Sequence, residues 1–209
     1  MSYARNVVAN RQLGHLRVYM EQSLKATEVQ DSPPPFPILL YFLSVIDLLG
    51  ALYGGDASSH ADYTSQSIDY AVRFMRYSEE QARILRYLVR HKLAHLGMPA
   101  PVLLFEDKRI TWEIAKSGVT KHLMLEPVIP RQSILVFGTH RLEYDYKFTI
   151  NINALYYDIQ MSIDPYLNAL SDSATLQERF QKAMAQIFEL REYPSNLDTD
   201  QNPANLAEP

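Results

Sequence analysis

The sequence predicts an α+β protein that is mainly α: an up-down four-helix bundle, then a small antiparallel β segment, then two further helices. Three observations carry this. Over the first hundred residues, apolar side chains recur at helical spacing between strong breakers. After Pro101 the texture changes to short β-prone runs, PVLLF, RITWEIA, HLMLEPVI, SILVFG and YKFTINI, separated by charged or Gly/Pro-containing breaks. Helical texture returns at Asn153.

The elements follow in order. Val7 to Thr27 places Val8, Leu13, Leu16, Tyr19 and Leu24 at roughly helical spacing. The run from Asp31 to Pro37 holds three successive prolines and cannot continue a helix. A second helix is expected from about Ile38 to Leu52, apolar almost all round and therefore central, and ended by Gly54 and Gly55. Thr64 to Met75 forms the third. Ser78 is a good N-cap for the fourth, with Glu79 and Glu80 in its first turn, where the helix dipole favours acids. That helix is expected to run from Glu79 to Leu96 and to end at Gly97 and Pro99. Val102 to Ile150 is the sheet. Asn153 to Leu170, with Pro165 inside it, and Ala174 to Arg191 are the last helices. Three parts result: a helical core over residues 1–100, a β-rich and helical extension over 101–192, and a polar tail over 193–209 expected to be disordered.

Hydrophobic residues make up 47% of the 209 and charged residues 21%, as in ordinary soluble domains. With no cysteine, disulfides and thiolate metal sites are excluded. The N-terminus, MSYARNVVANRQ, lacks the apolar core of a secretory signal. Pro37 to Gly55 is almost long enough to span a bilayer, but Asp47 sits at its centre, so a buried helix is expected rather than a membrane span. The expected location is cytoplasmic. The net charge of −4 does not suggest a nucleic-acid binder overall. Locally the balance reverses: between Arg73 and His95, six Arg and Lys residues face only Glu79 and Glu80.

Chemistry concentrates at the end of the fourth helix. His91 and His95 are four apart and share a face, with Arg90 beside it. In a last turn, unpaired carbonyls and the negative dipole end favour a protonated imidazole, which moves its pKa upward into the range where it gives and takes protons. A guanidinium offers a permanent charge and a planar fork to phosphate oxygens. One histidine and one arginine are a minimal kit for cleaving RNA at its 2′-hydroxyl without a metal. Arg83, Arg86 and Arg90, at i, i+3 and i+7, are expected to form a positive ridge that gathers the phosphate backbone, with Lys92 beyond it. Asp47, an acid in the most apolar helix, needs a partner if buried, and Arg90 or a histidine of the fourth helix supplies one.

Arg90-His91-Lys92-Leu93-Ala94-His95 resembles the R-x4-H signature of the HEPN family, in the variant with a polar residue after the arginine. The following Leu96-Gly97 is similar to the family's usual ending. The resemblance spans roughly Val7 to Met98, about half the chain. It implies an all-helical core with the motif on its last helix, and a metal-independent endoribonuclease in which Arg90 and His95 are catalytic and His91 supports them. It further implies a homodimer that joins two motifs in one cleft, and a role as a toxin of a toxin–antitoxin pair or as a defence effector. The partners would then be RNA and an antitoxin or regulatory protein, with no cofactor. The extension of about 100 residues goes beyond the simplest members and is expected to regulate, recruit a partner or recognise RNA.

Three other readings stand beside this one. Arg90 and His95 also suit a surface salt bridge and a C-cap. A catalytically silent RNA-binding or protein-interaction module would use the same ridge, with Tyr77 and Tyr87 available to stack on bases. A His-x3-His pair suits zinc, but Lys92 repels a cation and a further ligand is required.

Overall fold

The computed structural model describes residues 13–25, 36–90, 93, 100–115, 121–136 and 140–189. It is α+β and mainly helical. The helices are α1 (residues 13–25), α2 (Phe36–Gly54), α3 (Tyr63–Phe74), α4 (Glu79–Ile84, continued by a π-helical segment Leu85–Arg90), α5 (Ile152–Asp172) and α6 (Ala174–Ile187). The strands are β1 (Leu103–Phe105), β2 (Lys108–Ala115), β3 (Met124–Val136) and β4 (His140–Asn151). The expected tail, and the end of the fourth helix over residues 91–99 other than Leu93, lie outside the described residues.

Local chemistry accounts for the helix starts. Asp62 accepts the Ser65 amide at 3.0 Å, so α3 begins at Tyr63. Ser78 and Gln81 close a reciprocal capping box on α4, at 3.1 and 2.8 Å. Asn151 caps α5 by accepting the Ala154 amide. Pro165 does not end α5. The carbonyl it leaves without an N–H partner is that of Met161, a residue 74% exposed, so water can satisfy it. Ser173 alone separates α5 from α6 and caps the latter.

α2 is apolar on all sides because the chain surrounds it: it packs on α3, α5 and α6. It is long and apolar enough to cross a membrane, yet most of it is buried inside the fold. α5 and α6 thus dock on the bundle, and one contiguous core runs from Leu13 through Phe42, Ile84 and Phe148 to Ala183. Residues from both sides of residue 100 contribute to this core. Crossing of α2 and α3 is close enough that a Cβ on Gly50 would lie 2.7 Å from the backbone of Ser67. Gly50→Ala should force the helices apart and cost about 1–3 kcal/mol, read as a lower urea midpoint with an unchanged slope.

The sheet corrects one expectation. Its order is β1-β2-β4-β3, and the central pair β2 and β4 runs parallel, from Ile110↔Tyr146 to Ala115↔Asn151. The sheet is therefore mixed, two antiparallel hairpins joined side by side, and not wholly antiparallel. Apolar alternation fixes which face is buried but carries no strand direction. Met124–Ile129 of one expected run and Ser133–Val136 of the next also belong to one strand, β3, with a register shift between Pro127 and Gln132. Ile110, Phe148 and Ile150 enter the core, while the outer ends of β3 and β4 extend past β2 as a largely exposed arm.

Candidate active site at the end of the fourth helix

Asp47 lies in the middle of α2 and faces the second half of α4. Arg90 donates from Nε to Asp47 Oδ2 at 2.6 Å, and Arg86 donates from Nη1 to Asp47 Oδ1. Arg86 also reaches Thr64 Oγ1 of α3 at 3.2 Å through Nη2. The three charged side chains are only 13% (Asp47), 16% (Arg86) and 21% (Arg90) exposed. Leu43, Ile46, Ser67, Ala71 and Leu85 line the cleft around them. Burial lowers the Arg86 pKa, with Asp47 acting against that and Arg90 adding to it. A guanidinium nonetheless stays protonated at any pH where the fold exists. Two cations and one anion leave a local surplus of one positive charge.

The helix itself helps to build this cluster. From Leu85 to Arg90 its hydrogen bonding widens to the π pattern, which recurs where helices carry function. Leu85, Leu88 and Val89 stay buried along this stretch. On the far side of the motif the chain is held again: the Ala100 amide donates to the Leu88 carbonyl at 3.1 Å, and the Trp112 indole donates to the Ala100 carbonyl at 2.8 Å.

Of the residues singled out in the sequence, Asp47, Arg86 and Arg90 come together. Arg83 does not join them. It lies 3.8 Å from Glu79 and over the Phe105 ring, with 5.4 Å to the centroid. The expected continuous ridge Arg83–Arg86–Arg90 is therefore broken, because Arg86 turns inward to Asp47 and Arg83 turns to β1. Tyr77 is buried and cannot stack on a base, whereas Tyr87 is 42% exposed. His91, Lys92 and His95 lie outside the described residues; Leu93, between them, is helical and buried. Among the described residues, no group of three or more His, Asp or Glu side chains is arranged to hold a metal ion. Sequence reasoning missed Thr64, whose place in the first turn of α3 carries no pattern. It also missed a part-buried Tyr77–His122–Asp158 cluster, whose members are far apart in the chain.

No family model, curated protein or solved structure matches this chain.

Proposed function

We infer that the protein is a metal-independent endoribonuclease of HEPN type, with Arg90 and His95 as its chemical residues. One observation carries this reading. Among the described residues, Arg90 is engaged only through Nε, so Asp47 fixes the plane of its guanidinium while both Nη groups stay uncommitted. An arginine serving only as a salt bridge gains most when its paired nitrogens meet the carboxylate. Here the terminal fork is left for another oxyanion, beside a segment that carries two histidines.

In the proposed reaction His95 takes the proton of a ribose 2′-hydroxyl, and that oxygen attacks the adjacent phosphorus. Arg90 stabilises the charge on the phosphorane oxygens. The bond from phosphorus to the 5′-oxygen breaks, that oxygen takes up a proton from solvent, and a 2′,3′-cyclic phosphate remains. Arg86 acts by holding Asp47 in place, and the exposed Tyr87 borders the path of the strand. Cleavage of single-stranded RNA is expected to proceed in EDTA and to stop on the matching DNA. EDTA-sensitive cleavage that leaves a 3′-hydroxyl would overturn this and assign the histidines to a metal.

The R-x4-H resemblance adds a homodimer to the proposal, with a toxin or defence role and an antitoxin or regulator as protein partner. The apolar girth of α2 does not support dimerisation, since α3, α5 and α6 already cover it. Light scattering at micromolar concentration is expected to give twice the chain mass of 24.1 kDa. A monomer would remove the shared cleft from the account.

A further inference from the structure

A second polar cluster lies apart from the arginines, where the entry to β3 meets α5 and the turn between α3 and α4. His122 is its centre. Its Nδ1 accepts the backbone amide of Asn151 at 3.1 Å. A backbone amide cannot give up its proton, so Nδ1 must carry a lone pair and the neutral ring must carry its proton on Nε2. Nε2 lies 3.3 Å from Asp158 Oδ2 and 3.2 Å from the Tyr77 hydroxyl, which itself donates to Asp158 Oδ2 at 2.8 Å. The His122 side chain is 12% exposed and that of Asp158 is 37% exposed, so solvent protons reach the cluster from the α5 side.

The Tyr77 phenol is not the group that exchanges a proton here. Burial, with Asp158 beside it, pushes the Tyr77 phenol far up, so it stays protonated. Lys121, the neighbouring cation, is paired with Glu126 at 2.6 Å. Backbone geometry is unusual on both sides. Arg76, next to Tyr77, has φ 61°, and Leu123, next to His122, has φ 47°. Both are left-handed positions that non-glycine residues occupy only when their surroundings hold them. The Leu123 side chain is 2% exposed, and its carbonyl accepts from Gln81 Nε2 at 3.1 Å. Gln81 is the residue that closes the capping box of α4.

We propose that His122 is a proton-operated latch between the entry to β3 and the start of α5. A proton from solvent binds Nδ1 and turns it from acceptor to donor. Two N–H groups then face each other across the Asn151 contact, and that tie is lost. The imidazolium is drawn instead to Asp158, which gains a charged partner. The segment from Lys121 to Leu123 shifts from β4 toward α5, and the Leu123 carbonyl that holds Gln81 moves with it. The latch thereby connects protonation of His122 to the first turn of α4.

Nitrogen-detected NMR of the imidazole, followed with the Asn151 amide between about pH 8 and 5, tests this on the whole chain. At the alkaline end the ring should be the Nε2–H tautomer. As His122 titrates, protection of the Asn151 amide, corrected for intrinsic exchange, should fall about tenfold with the same midpoint. His122→Asn places an untitratable oxygen near the Nδ1 position and should keep that protection constant with pH. An Nδ1–H tautomer at pH 8 would overturn the latch. So would Asn151 protection that stays flat while the ring titrates, or a ring that remains neutral until the protein unfolds.

Discussion

Replacing Asp47 with alanine is expected to lower stability by about 3 kcal/mol, a large fraction of the whole stability of a typical domain. The loss comes less from the missing attraction than from what stays behind. Arg86 and Arg90 would face each other inside a cleft of leucine, isoleucine and alanine with no anion between them. Asp47→Asn should recover only part of the loss, since its amide keeps one acceptor but turns a donor toward a guanidinium. Arg90→Ala should cost less than Asp47→Ala, because Asp47 would still hold Arg86, and Arg86 would still hold Thr64. Urea denaturation of the three variants checks this order. A loss below about 1 kcal/mol for Asp47→Ala, the level of a solvated surface pair, would show that water already reaches the cluster.

This ordering also marks how far the sequence could be read. Asp47 was legible as a residue in need of a partner, because a lone acid in an apolar helix has few other fates, and Arg90 was among the partners expected. Arg86 was not, since the i, i+3, i+7 ridge assumes an α-helical period that the π segment from Leu85 to Arg90 does not keep. Helix starts at Tyr63 and Glu79 lay within a residue of expectation because Asp62 and Ser78 cap them by local hydrogen bonds. Sheet order was beyond reach: the parallel pairing of Ile110 with Tyr146 joins residues 36 apart and leaves no mark on local alternation. The same holds for the His122 latch, whose three side chains come from three separate elements. The R-x4-H spacing was plain in the sequence, but the proposed use of Arg90 rests on its contact with Asp47, which only the fold displays.

The second large effect falls on activity. With His95→Ala, RNA cleavage should drop by about 100- to 10,000-fold, the usual weight of a positioned proton-transfer group. Arg90→Ala should lose about 100- to 1,000-fold through the missing phosphorane contact. His95→Ala should unfold like the parent protein and bind RNA about as well, because a group that acts on the proton adds little to ground-state affinity. Arg90→Ala should bind more weakly as well as cleave more slowly.

The most direct measurement is single-turnover cleavage of one labelled single-stranded RNA, in EDTA, by the parent protein and these two variants, with binding followed in parallel. The account predicts cleavage by the parent protein to a 2′,3′-cyclic phosphate end, and near-complete loss in His95→Ala with RNA binding retained. Equal cleavage by the parent protein and His95→Ala would contradict it, and binding without cleavage by any of the three would identify the silent module instead.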